Sequence, residues 1–389
     1  MSGEVRMTAI RKAVSLSPDE EQAVSDLHQQ LCATDADPAL CLFFCSPKYD
    51  LAKLEQEMRR RFGDIPLIGC TTAGEITPLG YREDSITGVA FSPDHFKVAA
   101  QPIHNISTFK LQDGLDAGAE LVADLKKDIP HANGHNTFAF MLIDGLSNAE
   151  ERVTAAIGSQ LGDIPLVGGS TADSWALEQT SIFHDGAFQR NMAVVILIHT
   201  ELPFQVHYTH HYVASDAKAV ITEADSLSRT VYEINGVPAT QEYARLCGLA
   251  EQDLDISVCS NHPILMKIGG KYYSRGVVEV NHAERYIRFA CAIGKGVVCT
   301  IARPSDPTVN TKEMFDKIRQ EIGPLDLVLG CDCAARKMIC EEQGLMPEIS
   351  KVYQDNNVIG FATFGEQYNT IHMNNSFSCI AIGKAGGVP

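Results

Sequence analysis

The stretch Gly63–Glu75, GDIPLIGCTTAGE, returns as Gly162–Ser174, GDIPLVGGSTADS. Eight of the thirteen positions are identical, and Ile68/Val167 and Thr71/Ser170 are close swaps. Two near-identical phrases in one chain demand one local geometry used twice. The segments ahead of them agree in kind. ALCLFFCSPKYD (Ala39–Asp50) and NTFAFMLIDGLSNAEE (Asn136–Glu151) are short apolar runs ending in turn residues, as buried strands do. A helical pattern follows each run. Leu51, Leu54, Met58 and Phe62 share one helical face, as do Val153, Ile157 and Leu161. IPLIG or IPLVG then supplies a second strand, giving strand, helix, parallel strand. SITGVAFSPDHFKVAAQPI and TSIFHDGAFQRNMAVVILIHT add strands with hairpin signals. Each unit therefore reads β-α-β-β-β.

A weaker third echo lies near the C-terminus. LDLVLGCDCAARKMICEEQ (Leu325–Gln343) reads as strand, turn and helix, and NVIGFATFGEQ (Asn357–Gln367) repeats the phrase's apolar pair, Gly, Thr and Gly-Glu. Between them and the second copy, ILMKIGGKYYSRGVVEVNHAERYIRFACAI alternates and turns like an antiparallel sheet. The expected class is α/β to α+β: two domains of repeated β-α-β-β-β units with mixed sheets. A joint is expected within residues 200–225. It divides the chain into an N-terminal extension (1–30), a first domain (31–210) and a second domain (211–389).

Charge and composition remove several functions. The net charge of −17 repels nucleic acid and anionic membrane, so neither is an expected partner. The longest purely apolar run, MAVVILI, is a strand and not a membrane span. The first twenty residues are polar and do not form a signal peptide. The twelve cysteines sit among apolar neighbours without a C-x-x-C, which suits reduced core thiols of a cytoplasmic protein. There is no G-x-S-x-G elbow, no Walker loop and no G-x-G-x-x-G after a strand. Glu75 and Glu366 each follow a glycine and form the one carboxylate pair suited to acid–base work, but nothing in the sequence brings them together. An enzyme is not expected.

The repeated phrase does suit binding. Gly69, Gly168, Gly169 and Gly360 let the backbone approach another surface as it leaves the sheet. Cys70 and the hydroxyls of Thr71, Thr72, Ser170 and Thr171 stand at those strand ends, where open sheets place ligands.

At these residues the chain resembles the FIST family. IPLIGCTTAGEI and IPLVGGSTAD resemble the paired signatures of the FIST N domain. VYEINGVPATQEYARLCG, YYSRGVVEV and NVIGFATFGEQYNTIHMNNSF resemble the FIST C domain, with Gly360, Phe361, Thr363, Gly365, Glu366, His372 and Asn374 on its closing pattern. The resemblance implies a cytoplasmic ligand-binding sensor. HHYVASDAKAVITEADSLSRT resembles the branch that binds haem b non-covalently and senses nitric oxide. That branch implies a partner histidine kinase and control of cyclic-di-GMP and biofilm signalling. A homo-oligomer is left open. The alternative is a non-haem sensor of a small polar metabolite such as an amino acid, its pocket made by Gly69, Cys70, Thr71, Thr72, Gly168, Gly169, Ser170, Gly365 and Glu366.

An imidazole is the usual proximal ligand for a gas sensor. In FQVHYTHHYV, read as a strand, His210 shares a face with Phe204, Val206, Tyr208 and Tyr212. His211, on the other face, stands where the haem branch departs from ordinary FIST chains. His210, His211 and His372 are the iron-ligand candidates, with His262 behind them. Arg275, in YYSRG, matches a recurrent family position and would meet a propionate.

Overall fold

The computed structural model describes residues 8–33 and 36–386. It is mixed α/β, as the sequence implies, but the repeated unit is longer than β-α-β-β-β and occurs three times. Unit one runs through strand Ile10–Ser15, helix Glu20–Leu31, strand Leu40–Cys45, helix Leu51–Phe62, strand Leu67–Thr71, the hairpin Glu75–Thr77/Gly80–Arg82 and strand Ile86–Phe91. Residues 8–30, set apart above as an extension, thus begin this unit; residues 1–7 lie outside the described residues. Unit two repeats the order from Phe96–His104 to Met192–Thr200, with Thr137–Ile143 and Leu166–Ser170 as its parallel pair. Unit three opens with Phe204–His210 and resumes at helix Pro307–Ile322. Its parallel pair is Leu325–Cys333 and Val358–Thr363, and it closes with Ser376–Gly383.

The units exchange hairpins in a ring. The unit-one hairpin pairs with unit three, Ile76 opposite Gly360. The unit-two hairpin pairs with unit one, Phe183 opposite Gly69. The unit-three hairpin pairs with unit two, Gln367 opposite Gly168. Each of the three six-stranded sheets is therefore finished by a neighbour. One apolar core serves all three. Phe44 of unit one stacks on Phe361 of unit three at 4.6 Å and meets Phe140 of unit two at 6.4 Å. Such ring contacts add about 0.5–1.5 kcal/mol each to the burial of the rings.

Between the first strand and first helix of unit three lies an inserted antiparallel sheet, residues 211–306. Its strands run in the order Lys271–Arg275, Ile264–Ile268, Val298–Pro304, Tyr212–Asp225, Thr230–Ile234, Tyr286–Phe289 and Val277–Asn281. Helix Ala239–Cys247, entered through Pro238, packs Tyr243 and Ala244 into its own core. Asn235 and Gly236 both have φ > 0, the turn that Asn-Gly announces. The insert leaves and rejoins the core at one stalk: Tyr212 is opposite Pro304, and the His211 carbonyl accepts from Ser305 N–H at 2.7 Å and Ser305 Oγ at 2.9 Å. The outgoing strand of this stalk lies within residues 200–225, where the joint was expected, but the residues after 306 return to the core and pair with Phe204–His210, so 211–389 is not one body.

Candidate functional site

The three strand-end loops do meet, where the three units join. Ala73 N–H donates to Ala362 O, Ala172 N–H to Thr71 O and Phe364 N–H to Ser170 O, at 3.0–3.1 Å. The hydroxyls expected to face a guest are engaged within the protein. Thr71 Oγ1 accepts from Ser181 N–H at 3.0 Å, Thr72 donates to Glu75 at 2.5 Å, and Ser170 Oγ accepts from Gln367 Nε2 at 3.0 Å. Cys70 is wholly buried in the shared core. The glycines serve close approach: a Cβ at Gly168 would stand 2.5 Å from Met141 O, and one at Gly360 1.8 Å from Gly330 O. The repeated phrase is a plug that joins three units. Two open cavities lie away from it. One of about 360 Å³ at the stalk is lined by Ser215, Asp216, Cys247, His262 and Arg303; one of about 400 Å³ is lined by Leu79, Tyr81, Met346 and Gln354.

Glu75 and Glu366 occupy equivalent places, and each closes its own loop. Glu75 accepts from Thr72 Oγ1, Ser85 Oγ and Ser85 N–H; Glu366 accepts from Thr363 Oγ1, Ser376 Oγ and Ser376 N–H. Burial pushes their carboxyls up, to about 7 and about 8 respectively, against those hydrogen bonds. A carboxyl whose folded pKa exceeds its unfolded value keeps its proton longer in the native state. Stability therefore falls as pH rises from about 4.5 to about 7 through Glu75. Glu75→Gln mimics the protonated form, donating to Thr72 and accepting from Ser85. It is expected to lessen the slope across that window, Glu366 keeping its own share, and above pH 7.5 to exceed wild type by up to roughly 3 kcal/mol. Urea melts from pH 5 to pH 8.5 check this; an unchanged pH slope in the variant would show that Glu75 is already ionised.

The histidines separate. His210 ends the first strand of unit three beside Tyr208 and Tyr212, on the aromatic face expected. Its Nδ1 accepts from Tyr212 N–H at 3.3 Å. His211 is fully buried at the stalk, its ring 4.1 Å from that of Tyr212, and neither ring nitrogen has a hydrogen-bond partner among the described residues. His372 lies far along the chain, in the unit-three hairpin.

There the structure brings together residues from three elements, at the seam between the insert and the core. His372 and Asn374 come from the hairpin and its exit. Glu150 and Glu151 open the unit-two helix Glu150–Gln160. Arg229, Arg275 and Cys291 come from the insert. Arg229 donates to Glu150 at 2.6 Å and Glu151 at 2.7 Å, while Glu151 Oε1 accepts from Ala292 N–H at 2.6 Å. Cys291 Sγ donates to Asn374 Oδ1 at 2.7 Å. Ligand atoms of Glu151, Cys291 and His372 all lie within 4.8 Å of one another. Burial pushes the His372 ring down to about 4, so it is neutral at pH 7. Gly365 faces it, since a Cβ there would stand 2.4 Å from His372 Cε1.

Five buried polar atoms at this seam lack a hydrogen-bond partner among the described residues: Ser274 Oγ, Arg275 Nε, Gln367 Oε1, His372 Nε2 and Asn375 Nδ2. Of the residues expected from the sequence, Arg275, Gly365, Glu366 and His372 converge here, over Gly168, Gly169 and Ser170 beneath the hairpin. Gly69, Cys70, Thr71, Thr72, His210 and His211 do not. Glu150, Glu151, Arg229 and Cys291 escaped sequence reasoning. The one available signal was the acidic pair at a helix start, where carboxylates ordinarily just complement the positive end of the dipole.

Comparison with known proteins agrees with the motifs. The FIST N domain model matches residues 39–237 and the FIST C domain model residues 239–369, so their border falls inside the insert. An uncharacterized protein of Methanocaldococcus jannaschii is 26% identical over 218 residues, 54% of this chain. The chain spans only 41% of that relative's length. A solved cyanuric acid hydrolase from A. caulinodans aligns over 97% of this chain and 99% of its own at 6% identity and a TM-score of 0.39, a likeness too slight to speak to activity. No described helix is long and apolar enough to cross a membrane. The chain belongs to the FIST family of signal-sensing modules, carrying a FIST N and a FIST C domain in succession.

Proposed function

We propose that this FIST protein is a sensor, not an enzyme, and that its guest is a small polar species held in the seam between the insert and the three-unit core. The observation that supports this is the group of five unpartnered buried polar atoms on that seam. Leaving such a group unpaired costs about 1–3 kcal/mol, so five in one place call for something that bonds them. Arg275 and Asn375 offer donors that suit a polar metabolite such as an amino acid. A guest that bridges hairpin and insert favours one setting of the insert over others, and so changes the surface offered to a partner. The partner class we propose, following the family branch, is a histidine kinase. The test is thermal unfolding with a panel of amino acids and other polar metabolites. A stabilising compound should raise the wild-type melting point by a few degrees and lose that effect in Arg275→Met. Equal stabilisation of both proteins would put the guest elsewhere and overturn the seam assignment.

The second proposal is haem with nitric oxide as its gas ligand. The feature that favours it is His211, an imidazole whose two nitrogens have no hydrogen-bond partner among the described residues. The donor fits, but the surroundings do not fit a porphyrin: His211 has no exposed surface and its ring packs against Tyr212. His372 is equally enclosed by Gln367, Gly365 and the seam charges. An absorption spectrum after haem reconstitution decides between the proposals. A Soret band that moves with nitric oxide and disappears in His211→Ala would displace the seam.

A further inference from the structure

The seam contains more than hydrogen-bonding groups. Glu151, Cys291 and His372 are a carboxylate, a thiol and an imidazole whose ligand atoms are mutually within 4.8 Å. Tetrahedral zinc, with bonds of about 2.0–2.3 Å, needs its ligand atoms about 3.3–3.8 Å apart, so closure by about an ångström is enough. Resting on the seam assignment above, we propose that these three side chains hold a divalent transition-metal ion of the zinc type. The ion would tie the unit-two helix, the insert and the unit-three hairpin to one point.

Each ligand is already oriented. Glu151 is held by Arg229 and the Ala292 amide, each of its oxygens keeping a second lone pair for an ion. Arg229 is matched by Glu150 at 2.6 Å, so its charge does not have to be met by Glu151 alone. Cys291 is placed by its S–H donating to Asn374 Oδ1, a bond given up when the thiolate forms, so the Asn374 oxygen must draw back from the sulfur as the ion binds. His372 is fixed by Gln367, whose amide nitrogen stands 3.0 Å from Nδ1 and 3.0 Å from Ser170 Oγ. Turning that amide over puts Oε1 in the same place, where both His372 Nδ1–H and Ser170 Oγ–H donate to it. Two results follow at once. Gln367 Oε1 gains donors while Gln367 Nε2 takes the unpartnered place, and His372 Nε2 becomes a bare lone pair on the metal side. Metal-bound histidines ordinarily donate their other nitrogen to such an oxygen.

The balance is simple. The Cys291 Sγ–H bond breaks, its proton leaves to solvent, and the sulfur pair joins the metal. His372 binds neutral and Glu151 binds ionised, so thiolate and carboxylate together neutralise the dication. A soft sulfur with one nitrogen and one oxygen selects zinc-like ions over magnesium or calcium. Three protein ligands leave a fourth position for a guest.

The test uses the full-length chain, freed of metal by a chelator and titrated with Co²⁺ and Zn²⁺. One saturable ion per chain is expected, with about one proton released per ion in buffer-dependent calorimetry. The Co²⁺ form should show thiolate-to-metal charge-transfer absorption. Cys291→Ser should abolish that absorption, and His372→Ala should weaken binding at least ~10-fold. A second cluster, His131, His199 and Glu201, lies at the surface and supplies the competing outcome. Binding that survives C291S, or that His199→Ala abolishes, overturns the proposal. Should the C291S chain not fold, X-ray absorption on the zinc-loaded wild type decides without a variant: one sulfur in the first shell supports the site, and a shell of nitrogen and oxygen alone overturns it. Polar-metabolite stabilisation that persists with no metal bound removes the ion and leaves the seam. Loss of both removes both.

Discussion

Gly360→Ala is expected to leave the chain unfolded. The added carbon would stand 1.8 Å from Gly330 O and 2.7 Å from Gly330 C, in the parallel ladder that pairs the two glycines. Extra methylenes in a core ordinarily cost about 1–3 kcal/mol because side chains swing aside. Here the obstacle is backbone in a central strand, and nothing flexible can yield. Strand Val358–Thr363 also carries the unit-one hairpin on its other edge, so moving it breaks two pairings. A cost above about 4 kcal/mol is expected, which consumes most of a typical domain's stability. Gly294→Ala is the control, because its Cβ would meet only Ser226 Oγ at an ordinary 3.6 Å. Circular dichroism and melting of the two variants check this. A G360A protein that melts with wild type would mean that the two strands do not approach as described.

Arg229→Met should be the second large loss. It leaves Glu150, almost wholly buried, and Glu151, three-quarters buried, without their shared cation. Removing one partner of such a pair costs about 3–5 kcal/mol, because a charge stays behind in a poor solvent. It also frees the Ala290 carbonyl, to which Arg229 donates at 2.6 Å. The loss should appear as early unfolding in urea and as faster amide exchange along residues 226–231 and 288–292. Adding Glu150→Gln should recover part of it, since a neutral amide needs no counter-charge. If the double variant is as unstable as the single, the Arg229–Glu150 contact does not carry the energy and the methionine's packing is at fault.

Much of the unit was legible in the chain. Apolar runs gave the parallel strands, and the face of Leu54, Met58 and Phe62 gave the helix between them; all three are buried. The hairpin partners were not legible. Glu75 pairs opposite Phe361 and Glu366 opposite Gly169, and no local pattern encodes an edge supplied from so far along the chain. Likewise, the stalk showed its outgoing strand in FQVHYTHHYV. Its return at Ser305 precedes a helix with Asp306 as N-cap and Pro307 at its start, which reads as any other helix start. At the site, His372, Arg275 and Gly365 came from family resemblance. Cys291 read correctly as buried among apolar neighbours, but Asn374 and His372 reach it only through the fold. The loop hydroxyls misled for a physical reason. Small polar residues at strand ends serve a ligand or a neighbouring chain segment equally well, and here the neighbour is another unit.

The ring of exchanged hairpins has a consequence for biosynthesis. When the ribosome has made unit one, the edge of Glu75–Thr77 faces nothing, because Val358–Thr363 has not been translated. Unit two emerges in the same condition, awaiting Glu366–Tyr368 to cover Leu166–Ser170. The unit-one sheet closes once Ile182–His184 is made, but its hairpin and the unit-two sheet stay open until residues 358–368 follow. The nascent polypeptide therefore carries bare, apolar strand edges for most of its synthesis, the situation in which holdase chaperones matter most.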